Sequence, residues 1–263
     1  NKYNIEVLPL SVNFKDEVYN DGVDLSTEEF FEKLSKSEKL PKTSQVTPGK
    51  FLESFKKNIE KYDKIICITM SKKMSGTYQA ALTAKKMLDE RNEDIDVFDS
   101  KAISFGYGLV VLKAALDIEK GIEYNEIKEN IEYNIENLEN LFIVDTLKYL
   151  KKGGRLSVTK AFIGKMLKLK PIVTINNGKL EVAGKARGRK RAIKWFLNYL
   201  DDNNINLNNK TIGLFHAVDK KYLNVLEKKL KEKYKNLNIY YSEVGSVVGT
   251  HSGPGCIALV FIK

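Results

Sequence analysis

Residues 64-KIICITMSKKMSGTYQ-79 carry the clearest fold signal in the chain, a strand followed by a polar loop and a helix. The run from Lys64 to Met70 is almost wholly apolar, which is typical of a parallel strand covered on both faces. Ser71 to Met74 form the loop, and we predict a helix from Ser75 or Gly76 to about Arg91. A strand that leads through a loop into a helix is half of a βαβ unit.

Strands and helices alternate through the rest of the N-terminal half. The other predicted strands are Ile5 to Val12, Ile95 to Asp99 and Leu141 to Asp145. The other predicted helices are Thr27 to Leu34, a helix that begins at Thr47-Pro48 and runs through Ile59, Ala102 to Glu119, and Tyr124 to Asn137. This order predicts an α/β fold with a mostly parallel sheet flanked by helices.

The pattern changes beyond Gly153-Gly154. Asn176-Asn177-Gly178 separates two apolar runs, Pro171 to Ile175 and Lys179 to Ala183, and Asn-Gly suits the tight turn of a hairpin. The elements predicted after it are a helix from about Arg189 to Leu200, a strand at Thr211 to His216, a helix at Lys220 to Lys235, and strands at Asn238 to Glu243 and Cys256 to Ile262. We therefore expect two α/β domains, residues 1–150 and 151–263, the second with a mixed sheet.

Composition narrows the class of protein. Apolar residues make up 43% and charged residues 30% of the 263, as in globular proteins. No apolar run approaches the ~20 residues that span a bilayer, and no secretory leader is evident. Cys67 and Cys256 lie in strand-like runs, which predicts buried thiols without a disulfide or a metal. These features favour a reducing cytoplasm.

The net charge of +10 is unevenly distributed. Lys148 to Lys194 contain fifteen Lys or Arg and one acidic residue, Glu181, so this basic stretch carries +14 and the remainder −4. Either it is a solvated face or it docks something anionic, and the local bias favours docking.

Three polar loops are candidates for a ligand site: Thr43-Ser44-Gln45, Ser75-Gly76-Thr77, and 249-GTHSGPG-255 with His251. The second follows a parallel strand, where open α/β sheets bind ligands, and opens a helix whose free N–H groups favour an anion. An ordinary helix cap is the alternative interpretation of Ser75-Gly76-Thr77. His216, at the end of an apolar strand, is interpreted as structural.

Seven short motifs in order give the chain a family resemblance. They are KTSQ (42–45), MSGTYQ (74–79), FDSK (98–101), LKKGGR (150–155), LKPI (169–172), GKAR (184–187) and GTHSGPG (249–255). Together they resemble the DegV family, the fatty-acid-binding subunits (FakB) of bacterial fatty-acid kinase, over nearly the whole chain.

The resemblance implies two α/β domains that bury one long-chain fatty acid between or within them. It implies that Thr43, Ser75 and His251 hold the carboxylate, with Ser44, Gly76 and Thr77 in the same loops. Arg155 and Arg187 are similar to the positions that dock the kinase. The family implies a lipid carrier rather than an enzyme, with catalysis in the partner.

The acyl chain needs an apolar wall, for which we nominate two groups of residues. They are Phe105, Leu109, Val110 and Leu112 on one side, and Phe162, Ile163 and Met166 on the other. Plain core is the alternative interpretation of each. Among partners we expect the fatty acid and the kinase, allow transient contact with a membrane surface, and expect no nucleic acid, metal or other cofactor.

Two departures from the family pattern stand out. Members usually open with a strand that ends in Thr-Asp-Ser. Either about twenty residues of the family pattern precede Asn1, which is the interpretation that we favour, or the sheet lacks an element. The usual Thr-Ser-Gln-Pro-Ser also becomes Thr-Ser-Gln-Val-Thr-Pro here, although Thr47 keeps a hydroxyl.

Two rival functions stay open. A lipid hydrolase would use Ser75 and His251 as nucleophile and base, but no Gly-x-Ser-x-Gly motif or orienting acid is evident. The Ser-x-x-Lys matches at Ser54–Lys57 and Ser157–Lys160 are interpreted as chance. A nucleic-acid-binding protein would use 185-KARGRKRAIK-194, yet no recognised reading module accompanies it.

Overall fold

The computed structural model describes residues 2–88, 91–156 and 168–263. In this part of the chain, three sheets are formed: a three-stranded antiparallel sheet, a two-stranded parallel sheet and a six-stranded mixed sheet. The α/β class and the mixed second sheet are therefore confirmed.

The elements up to residue 136 form the two small sheets and their helices. The strands are β1 (Ser11–Phe14), β2 (Glu17–Asn20), β3 (Lys42–Ser44), β4 (Ile65–Thr69) and β5 (Ile95–Asp99). The helices are α1 (Thr27–Lys36), α2 (Pro48–Ile59), α3 (Thr77–Lys86), α4 (Phe105–Glu119) and α5 (Tyr124–Glu136).

Local sequence explains where these helices begin. The Ser26 side chain accepts from the Glu29 backbone N–H while the Glu29 carboxylate accepts from the Ser26 N–H, a reciprocal cap for α1. Thr47 caps α2 and Pro48 occupies its first turn, as the sequence predicts. Helix α3 ends at Lys86, short of the predicted Arg91.

The first predicted strand, Ile5 to Val12, is wrong in its position. Strand β1 begins at Ser11 and pairs with β2 on one side and β3 on the other, and neither of these partners was predicted. Apolar residues at 5, 7, 8 and 10 suggested a strand. Val7 is instead exposed, while Leu8 and Leu10 pack beside the α2–α3 core outside any strand.

The elements from residue 138 onward form the six-stranded sheet and its covering helices. The strands are β6 (Leu138–Ile143), β7 (Lys170–Asn176), β8 (Lys179–Ala186), β9 (Thr211–His216), β10 (Asn238–Glu243) and β11 (Ile257–Ile262). The helices are α6 (Lys148–Lys152), α7 (Arg189–Asp202), α8 (Lys220–Lys233) and α9 (Ser246–Ser252). The strand order is β10-β9-β11-β6-β7-β8, with only β9 and β10 parallel.

Strand β6 belongs to this mixed sheet and not to the parallel sheet in which it was predicted. It lies between β11 and β7, antiparallel to both. Chain order alone favoured the wrong partner, because β6 follows α5 as a βαβ unit would require. The domain division near residue 150 stays a prediction, and strand pairing groups residues 138–143 with the second domain.

The six-stranded sheet is buried on both faces. Along β11, Ile257, Leu259 and Phe261 pack into the core under α7 and α8, whereas Ala258 and Val260 pack into the core on the opposite face. Alternate side chains of a strand point to opposite faces, so two buried faces require a continuous apolar run. The face that carries Ala258 also carries Phe142, Val173 and Phe215.

The predicted β7–β8 hairpin is confirmed. Asn177 and Gly178 have φ values of 47° and 78°, the positive dihedrals that the two-residue turn requires.

Candidate functional site

The loop after β4 positions Ser75 at the start of α3. Its hydroxyl lies 2.8 Å from Thr77 Oγ1 and accepts the Thr77 backbone N–H at 3.3 Å. Thr77 is buried, so this hydrogen bond between the two hydroxyls holds the Ser75 side chain in place. Of the three residues of this motif, Ser75 and Gly76 line a cavity and Thr77 supports them.

Thr43 and His251 come from distant parts of the chain and meet at the same cavity. Thr43 Oγ1 lies 3.0 Å from His251 Nε2. Thr43 is on β3, opposite Val12 of β1, and His251 is on α9. The 249–255 segment was predicted as a loop, but its first four residues complete α9, and the chain leaves the helix at Gly253 with φ 70°.

Asp21 anchors the helix that carries His251. Its Oδ1 accepts from the Ser246 backbone N–H at 2.6 Å and from the Ser246 hydroxyl at 2.8 Å. A carboxylate at the first turn accepts hydrogen bonds from free N–H groups there, and its negative charge interacts favourably with the positive end of the helix dipole.

The His251 imidazole is neutral at physiological pH. Burial, together with the nearby Arg155 guanidinium, lowers its pKa to about 4. Nδ1 is buried and has no hydrogen-bond partner among the described residues. The Gly153 backbone packs directly against the imidazole ring, because a β-carbon at Gly153 would overlap Nδ1.

The cavity is apolar apart from a group of polar side chains that contact or adjoin one another. The polar group consists of Thr43, Ser44, Gln45, Ser75, Arg155, His251 and Ser252. The remaining wall is made by residues such as Phe142, Val173, Leu180 and Phe215 of the six-stranded sheet, Val144 just after β6, Met70 and Met74 of the loop after β4, and Val244, Val247 and Val248 around α9. We call this polar group the polar end of the cavity; together with the apolar wall it suits an amphipathic ligand.

The nominated acyl wall differs from the wall of this cavity. Leu109 and Leu112 pack in the main core, and Val110 packs against α5. Phe105 stacks on Tyr240 with ring centroids 6.4 Å apart. Phe162, Ile163 and Met166 lie outside the described residues. The sequence shows that α4 is apolar, but it does not show whether α4 lines a cavity. Apolar residues of the core and apolar residues that line a cavity have the same sequence pattern.

Arg155 lies at the cavity, a position that the docking prediction did not include. Its Nε donates to the Met74 carbonyl at 3.3 Å and its Nη1 to the Gly153 carbonyl at 2.6 Å. The residue is exposed and lines the polar end. Arg187 is also exposed, just after β8, but does not line the cavity. The two arginines therefore differ in whether they line the cavity.

The rival chemistries find little support in the described residues. No carboxylate there hydrogen-bonds His251, so the orienting acid of a Ser–His–Asp triad is lacking. Ser54, of the first Ser-x-x-Lys match, lies on α2, and the second match lies outside the described residues. Within the described ranges no group of three His, Cys, Asp or Glu could hold a metal. No described helix is both long and apolar enough to cross a bilayer.

Comparison with known proteins identifies the family. The model of the DegV family, described as uncharacterised protein, DegV family COG1307, matches residues 1–263. The chain belongs to the DegV family. A DegV domain-containing protein of Caldanaerobacter subterraneus is 37% identical over 259 residues, which are 98% of this chain and 91% of the relative.

Two solved DegV structures share the fold over the whole chain. One, from Thermus thermophilus, is described by its fatty acid binding; it has a TM-score of 0.92 and 29% identity, over 100% of this chain and 93% of that one. The other, described as DegV, a fatty acid binding protein from Bacillus subtilis, has a TM-score of 0.87 and 33% identity with the same coverage.

Proposed function

We propose that this DegV protein binds one long-chain fatty acid in the cavity, with the carboxylate at Thr43, Ser75 and His251. The observation that carries the proposal is the half-buried, neutral His251 beside Thr43 at the polar end of an otherwise apolar cavity. The fatty-acid binding described for the Thermus thermophilus and Bacillus subtilis proteins supports it. Ser44 and Gly76 adjoin the head group, and Thr77 orients Ser75.

The energetics favour such a ligand. Each buried CH₂ contributes roughly 0.8 kcal/mol, so an acyl chain of about sixteen carbons contributes on the order of 10 kcal/mol before the costs of binding. A carboxylate leaves water only when hydrogen bonds replace its hydration. Two hydroxyls and an imidazole N–H supply them, and the Arg155 guanidinium adds an opposite charge at the same end.

The acyl wall in this proposal is the cavity face of the six-stranded sheet rather than α4. Phe142, Val173 and Phe215 are buried, line the cavity and belong to one continuous core. These side chains are held by neighbouring strands, so the wall is largely pre-formed.

We further propose that the protein is a carrier that presents the carboxylate to a fatty-acid kinase and catalyses no reaction itself. The support is the resemblance to FakB subunits, the exposed Arg155 beside the polar end and the +14 charge of the basic stretch. A reducing cytoplasm suits the two free cysteines, Cys67 and Cys256, whose pKa values burial raises to about 12.

Side-chain removal at the polar end tests the proposal. Ser75→Ala and His251→Ala should each weaken fatty-acid retention by about ten- to a hundredfold, since a hydrogen bond to a charged group contributes roughly 1.5–3 kcal/mol. Binding of palmitate and oleate is measured by isothermal titration on delipidated protein. Ser35→Ala is the matched control, because Ser35 is exposed on α1, its hydroxyl donates to the Glu32 carbonyl, and it does not line the cavity.

Retention equal to the parent in both variants would show that the head group lies elsewhere. Turnover of a lipid ester that Ser75→Ala abolishes would favour the hydrolase. Tight duplex binding at physiological salt, independent of lipid, would favour the nucleic-acid protein.

A further inference from the structure

The Gln45 side chain lies over Gly76 at the polar end of the cavity. A β-carbon built on Gly76 would overlap Gln45 Oε1 and would lie 2.9 Å from Cδ and 3.1 Å from Nε2. Both residues line the cavity and both are exposed, so the amide lies at the cavity opening.

Space, and not backbone conformation, explains the glycine at position 76. Its φ is −74°, a value that any L-residue adopts. The three atoms nearest to its missing β-carbon all belong to the Gln45 amide. The glycine therefore leaves open the volume in which that amide rests.

We propose that the Gln45 side chain covers the head group of the bound fatty acid and donates an amide N–H to its carboxylate. The absence of a β-carbon at Gly76 leaves the space that the Gln45 amide occupies. This inference rests on the proposed function. A carboxylate offers about four acceptor sites, and Thr43, Ser75 and His251 fill at most three. The amide oxygen is nearest Gly76 and the NH₂ group is farther from it, which leaves the donor for the ligand. Being neutral, the amide adds a donor without another buried charge.

Displacement of the amide should speed release of the ligand. Gln45→Ala and Gly76→Ala should each increase the dissociation rate of oleate by about tenfold, because each removes the same charged hydrogen bond. The double variant should release oleate no faster than either single one, since residues that act through one contact are non-additive. Release is followed by stopped-flow transfer of oleate to an excess of albumin.

The chain offers a matched control for each change. Gln79 is exposed on α3 and does not line the cavity, so Gln79→Ala should release oleate at the parent rate. Gly49 is exposed on α2, and the atom nearest to a β-carbon added there is Thr47 Oγ1 at 4.0 Å, so Gly49→Ala should behave likewise.

Gln45→Glu tests whether Gln45 acts as a hydrogen-bond donor or only fills space. Glutamate fills the same volume on Gly76 but is ionised, accepts only, and repels a carboxylate. We expect it to release oleate faster than Gln45→Ala, and to release the uncharged oleyl alcohol at the parent rate. Parent-like release of oleate by Gln45→Glu or Gln45→Ala, from protein whose parent binds oleate, overturns the inference alone. A parent that binds no fatty acid overturns the proposed function as well.

Discussion

At the scale of residues, the lowered pKa of His251 makes the stability of the fold depend on pH. The folded protein holds its pKa at about 4, against ~6.5 for a histidine in an unfolded chain. Between these values the unfolded chain binds the proton and the folded protein does not. Acidification from pH 6.5 therefore destabilises the fold, whereas above pH 6.5 this group has no effect on the pH dependence.

We predict that this effect disappears when the imidazole is replaced. Between about pH 7 and pH 5, ligand-free parent protein should lose on the order of 2 kcal/mol more of its free energy of unfolding than His251→Gln loses. Urea denaturation at the two pH values measures the difference, and the other titrating groups cancel between parent and variant. Equal losses in both proteins would contradict a half-buried His251 that is neutral in the folded protein.

Residue types predicted the polar residues that line the cavity better than the apolar ones. Thr43, Ser75 and His251 are chemically distinctive and lie in recognisable motifs, and the structure brings all three to one cavity. Phe142 and Phe215 were not predicted to line the cavity, because an apolar residue in a strand is interpreted as core whether or not it also faces a cavity. Gln45 was missed as a contact of Gly76 because that contact depends on how two loops pack.

At the scale of elements, the hairpin β7–β8 ties the second half of the chain to the loop after β4. The Ser71 hydroxyl donates to the Gly178 carbonyl at 2.7 Å, and a β-carbon on Gly178 would lie 2.7 Å from that hydroxyl. Gly178 also has φ 78°. Both its conformation and its contact therefore require glycine.

We predict that Gly178→Ala is more destabilising than a glycine substitution with the same backbone strain. Gly121 has φ 72° and nothing within 4 Å of a β-carbon, so Gly121→Ala should cost only about 1 kcal/mol for the left-handed conformation. Gly178→Ala should cost a further ~1–3 kcal/mol, because the methyl group must push Ser71 aside. Urea denaturation of both variants gives the two values. Equal destabilisation would show that the contact with Ser71 contributes nothing.

Local signals predicted elements well where they were self-contained. The capped helices α1 and α2 and the Asn-Gly hairpin begin or turn where the sequence predicts. Strand partners were less predictable: β3 has three residues, and one partner of β6 is β11, the last described strand of the chain. Pairing depends on the whole sheet, which a local pattern does not contain.

At the scale of the whole molecule, we expect the uneven distribution of charge, more than the net charge, to govern the approach of a charged partner. The basic stretch carries +14 while the rest of the chain carries −4. Surface charges of one sign steer the approach of an oppositely charged partner, and salt screens the effect.

Arg187 tests docking without disturbing the ligand, because it is exposed and does not line the cavity. We predict that Arg187→Ala retains oleate like the parent but slows kinase-dependent formation of acyl phosphate, and that added salt narrows the gap between the two. Lys228→Ala, which removes an exposed charge on α8 outside the basic stretch, is the control. Arg155→Ala should impair both retention and phosphorylation, since Arg155 lines the cavity. Normal phosphorylation of Arg187→Ala would remove this residue from the docking surface.

The central claim is that one fatty acid occupies one cavity, and native mass spectrometry of the protein purified from cells tests it most directly. We predict a bound mass equal to a single long-chain fatty acid, released on organic extraction and restored by adding oleate or palmitate to the delipidated protein. Protein that carries no such mass, and that binds neither lipid when it is added, would contradict the account.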